Sequence, residues 1–171
     1  MVRAWALAGA LLAATGPTRM ALHSRDFSDG AVIPLVSMAQ ACGGKNRSPE
    51  LHWSGAPAGV KSFAIVLHDP DAPVAGGFYH WIAYDLPPAM QRLPSGATLS
   101  RGKLGETTLG RPGYYGPCPP PGPAHRYVFT LYALDISRLG AASPPTAPQL
   151  QREIAGHVLA QAALDGTAAH P

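Results

Sequence analysis

Three strand-like segments most constrain how this chain can fold. Residues 62–68 (SFAIVLH) form a nearly continuous apolar run that ends at the corner DPDAP, as a buried strand would. Residues 78–85 and 126–135 are rich in aromatic and β-branched residues, which favour strands. Because 19 glycines and 19 prolines interrupt the chain, we expect short strands and many turns rather than a helical bundle.

The strand predicted over 78–85 alternates between two faces, since successive side chains of a strand point in opposite directions. One predicted face carries Phe78, His80, Ile82 and Tyr84, and the other carries Tyr79, Trp81, Ala83 and Asp85.

Weaker patterns indicate the remaining elements. Strands also fit 31–36 and 50–53, whereas 91–115 is rich in turns. One helix is predicted to begin near Thr146 and to end near Leu164, with a stripe at four-residue spacing that would pack on the domain: Leu150, Ile154, Val158 and Ala162.

Consecutive strands follow each other without long helical crossovers. The predicted fold class is therefore mostly β, an antiparallel β-sandwich with a packed C-terminal α-helix. A chain of 171 residues is long enough for one such domain and too short for two ordinary ones.

Residues 1–19 are predicted to be a signal peptide or an N-terminal extension, and 20–171 the single domain. The segment has an early arginine and then an apolar run over 4–14, which is too short for a membrane-spanning helix. If it is a signal peptide, the protein is exported, to the periplasm or the medium. The alternative is that Met20 is the true start and the protein is cytoplasmic.

The charge gives little support for nucleic-acid binding. The formal net charge is +3, but without residues 1–19, which hold two arginines and no acid, 11 basic and 10 acidic residues leave +1. No run of Lys and Arg remains that would hold a phosphate backbone.

The two cysteines, Cys42 and Cys118, do not form a CxxC motif or a metal-ligand spacing. In an exported protein they could form a disulfide, and in a reducing cytosol they would be two free thiols.

The sequence shows no nucleophile elbow, zinc-binding helix motif or glycine-rich phosphate loop. Cys118 lies among prolines, where no helix N-terminus can lower its pKa. We therefore expect no enzyme and no cofactor, and keep a hydrolase, with Asp69 and a histidine acting on a bound water, as the least favoured alternative.

Polar residues converge at the predicted strand ends. Asp69 and Asp71 follow one strand, His80 lies inside the next, and His125 precedes a third. Two histidines beside proline-rich loops would form a compact anion site, because ring N–H groups are donors for phosphate or carboxylate. Asp71 is more typical of a residue that caps its own turn. A metal site of Asp69, His80 and His125 is less favoured, since the sequence offers no close-spaced pair of ligands.

Several separated motifs resemble the phosphatidylethanolamine-binding protein family, specifically its bacterial and archaeal Raf-kinase-inhibitor-like branch. The motifs are DPDAP, HWIAYDLP and GPCPPPGPAHRYVFTLYALD, with further matches at FSDGAVIP, CGGKNRSPELHWSGAPAG and GHVLAQAALDGT. The resemblance covers about residues 20–167.

The resemblance implies a large central antiparallel sheet, a smaller sheet packed on it and a short C-terminal helix. It also implies a small pocket for phosphate or a phosphoethanolamine-like head group. Carried over motif by motif, the pocket carboxylate is Asp69 and the pocket histidines are His80 and His125. The implied walls and rim are Asp71, Pro73, Gly116, Pro117, Pro119, Pro120 and Tyr127.

Two departures from the family pattern affect selectivity. Mammalian members have a C-terminal extension that contributes an aromatic lid, whereas this sequence stops at GTAAHP. Phe78 and Tyr79 stand where relatives often carry tryptophan. We therefore expect the lid to be absent or different.

These expectations together describe a non-enzymatic binding or modulatory protein that holds a small anion at Asp69, His80 and His125. If both imidazoles donate hydrogen bonds, affinity should fall as rising pH removes their protons. The alternative implied by the resemblance is an inhibitor of a protein kinase or protease that acts through a protein–protein interface.

Overall fold

The hydrophobic strands of the chain pair into two antiparallel sheets. The structure is a computed structural model that describes residues 19–140 and 143–171. The strands are β1 (Ala21–His23), β2 (Leu51–Ser54), β3 (Ser62–Asp69), β4 (Phe78–Leu86), β5 (Arg92–Leu93), β6 (Lys103–Leu104), β7 (His125–Leu134) and β8 (Val158–Ala168). One α-helix, α1 (Ala147–Ile154), and two 3₁₀ helices, Leu35–Ser37 and Gln40–Cys42, complete the described elements.

The large sheet has the order β6-β4-β3-β7-β8, and the small sheet has the order β1-β2-β5. All strand pairs within the two sheets are antiparallel. The predicted fold class, a mostly β sandwich of a large and a small sheet with a C-terminal helix, is confirmed.

The large sheet is covered on both faces. One core cluster joins small-sheet residues such as Leu51 and Trp53 to large-sheet residues such as Phe63. The second cluster packs Leu150 and Ile154 of α1 on the opposite face. Because β3 lies at the centre of the large sheet, side chains on both its faces are buried, which explains its continuous apolar run.

The predicted helix over 146–164 is wrong beyond Ile154. Helix α1 begins after Thr146, whose side chain forms a capping box with Gln149. Gly156 has φ +83°, a left-handed conformation that glycine adopts readily, and the chain then reverses into β8. Val158, placed on the helix stripe by the sequence pattern, is 39% exposed.

Residues 158–168 form a strand because β7 offers them a long partner. Ten residue pairs join the two strands, from Leu134 with Val158 to His125 with Ala168. The segment VLAQAAL is intrinsically a good helix former, so tertiary pairing overrides its local preference.

The strand predicted over 31–36 is also wrong. Val32 makes one isolated parallel bridge to Thr167, and the chain then turns into the first 3₁₀ helix. The remaining strand predictions agree with β2, β3, β4 and β7 within about two residues at each end.

The predictions for residues 1–19 fall, apart from Arg19, outside the described residues. Over the residues that the structure describes, the chain has no helix of sufficient length and hydrophobicity to cross a bilayer.

Candidate functional site

The candidate site lies where three neighbouring strands of the large sheet meet at one edge. Strand β3 ends at Asp69, β4 begins at Phe78 opposite it, and β7 begins at His125. Because β3 runs antiparallel to both neighbours, the end of β3 and the starts of β4 and β7 fall at the same end of the sheet. The topology thus brings together polar residues that are up to 56 positions apart.

Asp69 is a buried carboxylate with both oxygens engaged. Its Oδ1 accepts a hydrogen bond from the backbone N–H of Asp71 at 2.9 Å, which closes the DPDAP turn. Its Oδ2 accepts from Nδ1 of His125, also at 2.9 Å. Since a carboxylate can only accept, the Nδ1 atom of His125 carries a proton and Nε2 is the ring atom left for a ligand.

A β-bulge in β4 places His80 at the site. Leu67 of β3 lies opposite Trp81 and His68 lies opposite Tyr79, so His80 is the extra residue without a partner in the ladder. A bulge of this kind turns two successive side chains towards the same side of a sheet. The predicted alternation over 78–85 is therefore broken at His80: Ile82 and Tyr84 pack with α1, whereas His80 packs against Tyr127 on the other side of β4.

The loop over 105–124 holds His80 in a fixed orientation. Nδ1 of His80 donates to the carbonyl oxygen of Tyr115 at 2.8 Å, and the backbone N–H of Tyr115 donates to the carbonyl of His80 at 2.9 Å. The two rings are stacked with centroids 5.9 Å apart. Because a carbonyl can only accept, the Nδ1 proton of His80 is fixed and Nε2 remains for the cavity.

Burial keeps His80 neutral. Loss of hydration penalises the imidazolium and lowers the pKa of His80 from 6.5 to about 4, although the bond to Tyr115 and the charge of Asp69 offset part of this effect. At neutral pH the Nε2 atom of His80 therefore presents a lone pair, which accepts hydrogen bonds and cannot donate one.

Tyr127 lies beneath the two histidines, and its side chain is fully buried. Its hydroxyl makes no hydrogen bond to the described protein atoms. Burial, followed by the negative charge of Asp69, raises the pKa of Tyr127. The hydroxyl therefore stays protonated, and a buried donor without a partner is rare in native proteins unless a water or ligand satisfies it.

Asp71 plays a different role from the turn cap that its position suggests. Its Oδ2 accepts from the backbone N–H of Arg126 at 2.8 Å and from the guanidinium Nε at 3.4 Å. The backbone hydrogen bond is the main reason why the pKa of Asp71 is lowered. It is Asp69 that caps the turn, and Asp71 fastens that turn to the start of β7.

The proline-rich wall of the site is tied to the chain around 37–46. The amide oxygen of Asn46 accepts from the N–H of Gly116 at 2.7 Å, and the carbonyl of Pro117 accepts from the N–H of Ala39 at 3.0 Å. A disulfide joins Cys42 to Cys118, with their Cα atoms 5.5 Å apart. A side chain at position 116 would overlap the backbone of Ser37 and Met38, so only glycine allows this approach.

These elements enclose a cavity of about 200 Å³. Seven of the residues expected at the site line it: Asp69, Pro73, His80, Pro119, Pro120, His125 and Tyr127. Three expected residues, Asp71, Gly116 and Pro117, do not line it and instead hold its walls in place. Sequence reasoning missed six further lining residues: Ala72, Val74, Phe78, Leu109, Tyr115 and Cys118.

The mouth of the cavity is apolar and its floor is polar. Val74 and Leu109 are 48% and 45% exposed, respectively, although both are aliphatic. The place of Tyr115 beside the GPCPP wall could have indicated that it lines the cavity, whereas Leu109 lies in a turn-rich stretch where no sequence pattern indicates a lining residue.

Among the described residues, no group of three His, Cys, Asp or Glu side chains is arranged to hold a metal ion.

Comparisons with known proteins agree with this architecture. A family model described as phosphatidylethanolamine-binding protein matches residues 23–169. A UPF0098 protein of Aquifex aeolicus is 39% identical over 160 residues, covering 91% of each chain. A Mycobacterium tuberculosis protein named as a lipoprotein, LppC, is 40% identical over 149 residues, covering 86% of this chain and 71% of its own.

Among solved structures, the phosphatidylethanolamine-binding protein homologue CT736 of Chlamydia trachomatis is similar with a TM-score of 0.80 and 38% identity. The match covers 88% of this chain and 97% of that chain.

The neutral state of His80 predicts a loss of stability in acid. The unfolded chain takes up the His80 proton near pH 6.5, whereas the folded protein takes it up only near pH 4. Because the unfolded state binds more protons between these values, the contribution of His80 should lower the free energy of unfolding as pH falls through this window, by up to ~3 kcal/mol. Urea denaturation between about pH 7 and about pH 4 measures this change.

His80→Gln should lose less stability on acidification than the wild type does, and His170→Gln, which removes an exposed histidine, should behave like the wild type. Identical acid sensitivity of the wild type and His80→Gln would contradict the assignment of His80 as a buried neutral group.

Proposed function

This chain belongs to the phosphatidylethanolamine-binding protein family, and we propose that it is a non-enzymatic binding protein for a small anion. The ligand is phosphate or a phosphoethanolamine-like head group, held in the cavity between Asp69, His80 and His125. One observation carries this proposal: two histidines line one small cavity, and each uses Nδ1 for a protein hydrogen bond, so that Nε2 is the ring nitrogen left for a ligand.

Charge in the cavity determines how an anion would be held. Asp69 is 2% exposed and brings one negative charge to the floor, which repels an anion while His125 is neutral. In its imidazolium form, His125 would cancel that charge and offer its Nε2 as a donor, while Nδ1 keeps its hydrogen bond to Asp69. An anion would therefore be held best by the form of His125 that carries a proton on both ring nitrogens.

The lining residues favour binding over catalysis. Cys118 is held in the disulfide and offers no thiolate, and Tyr127 is a buried phenol that stays protonated. A cavity of about 200 Å³ suits a phosphate-sized group, and its apolar mouth would contact whatever substituent the phosphate carries.

Titration calorimetry with inorganic phosphate and with phosphoethanolamine tests the proposal. Wild-type affinity should be higher at about pH 5.5 than at about pH 8, because lower pH favours the imidazolium form of histidine, which donates from both ring nitrogens. His80 is not expected to contribute to this pH dependence, since the pKa of His80 lies at about 4.

His125→Gln should weaken binding at the lower pH by roughly 10- to 150-fold, the usual effect of losing a hydrogen bond to a charged group. His157→Gln is a matched control, since His157 forms the same kind of pair with Asp135 at 2.8 Å but does not line the cavity. Absence of phosphate binding by the wild type at either pH, or equal binding by His125→Gln, would refute the proposal.

We also propose that the protein is exported. The similarity to a protein named as a lipoprotein and the pairing of Cys42 with Cys118 support this location. Mass spectrometry of protein from its native cells should find a chain shortened near residue 19. Its mass should be lower by two hydrogens than that of the same chain with two free thiols. A chain that retains Met1 and carries two free thiols would contradict export.

A further inference from the structure

The cavity presents one hydrogen-bond acceptor that cannot become a donor at neutral pH. Nε2 of His80 lacks a proton because Nδ1 holds it against the carbonyl of Tyr115 at 2.8 Å. The ring cannot flip to exchange its nitrogens without losing that bond, and it is packed between Tyr115 and Tyr127. Flipping would also leave the Tyr115 carbonyl without its side-chain partner.

Resting on the proposed anion site, we infer that the cavity selects an anion with its own hydrogen-bond donor, namely a phosphate monoester or inorganic phosphate that carries one P–OH group. The P–OH donates to Nε2 of His80, and an unprotonated phosphate oxygen accepts from Nε2 of protonated His125. An anion without a proton would place an oxygen lone pair against the lone pair of His80.

The surrounding charges support this division of roles. Around His80, the cavity is lined by Asp69 from β3, by His125 and Tyr127 from β7, and by Tyr115 from the loop. Both Asp69 oxygens already accept hydrogen bonds, so the carboxylate is less available to a ligand proton than His80 is. Burial holds the pKa of His80 at about 4, and the nearby His68 and His125 act in the same direction. The lone pair therefore stays available throughout the neutral range, although the Tyr115 carbonyl and the charge of Asp69 act against this effect.

Two sources of phosphate differ in whether they carry a P–OH group. A monoester, such as free phosphoethanolamine, carries a P–OH group below its second pKa of about 6 and partly above it. The phosphate of an intact phospholipid is a diester and has no such group. The cavity would therefore favour free monoesters over the phosphate of an intact lipid.

Two isomeric ligands test this directly: ethyl phosphate, a monoester, and dimethyl phosphate, a diester. At about pH 5 both carry close to one negative charge, and they have the same atoms, but only ethyl phosphate has a P–OH group. Titration calorimetry on the full chain should show ethyl phosphate binding at least about tenfold more tightly, since an acceptor that a bound ligand covers and leaves unpaired is costly.

His80→Gln provides the variant arm, because its side-chain amide can turn an N–H towards the ligand. The preference for ethyl phosphate should then fall below about threefold. Equal binding of the two isomers by the wild type would overturn the inference and leave the anion site intact. Failure of both isomers and of inorganic phosphate to bind would instead count against the anion site itself. The wild-type comparison decides the matter even if the variant does not fold.

Discussion

The hydrogen bond between Asp69 and His125 is the contact on which the architecture of the site depends. It joins the end of β3 to the start of β7 across a turn that Asp69 itself closes. A buried carboxylate is costly unless its oxygens are paired, so the turn, the strand ends and the imidazole must all be in place together. The same bond fixes the His125 tautomer, which links the stability of this corner to the anion binding proposed for it.

The opposite wall depends on residues from the first third of the domain. Asn46, with φ +52°, uses its amide group on the carbonyl of Tyr114 and the N–H of Gly116. The Tyr114 hydroxyl donates to the carbonyl of Ser37, and Cys42 is bonded to Cys118. Tyr115, which orients His80, therefore sits in a loop fastened on both sides, and this makes the orientation of the imidazole a property of the fold.

The sequence was sufficient to predict elements whose local pattern and tertiary environment agree. The apolar run of β3 and the aromatic run of β7 are examples, because burial on both faces of a central sheet requires such side chains. The segment of β8 was predicted as a helix because its alanines and leucines favour one locally, whereas ten pairings with β7 decide its structure.

The direction of the His80 side chain could not be predicted from the sequence. A single bulge residue moves a side chain to the other face of the sheet, and the alternating pattern of residue types does not reveal where the bulge lies. Asp69, His80 and His125 were identifiable from motifs, but the neutral state of His80 and the fixed Nδ1 protons of both histidines follow from burial and hydrogen bonds that only the assembled fold creates.

The central proposal is that Nε2 of His125 donates to a bound anion while Nε2 of His80 stays an acceptor. Nitrogen-15 NMR of the imidazole rings during a titration with inorganic phosphate near pH 6.5 reports both nitrogens of each ring separately. The account predicts that Nε2 of His125 moves to the protonated range and that Nε2 of His80 remains unprotonated. Phosphate binding that leaves His125 unchanged, or that protonates His80 instead, would contradict it.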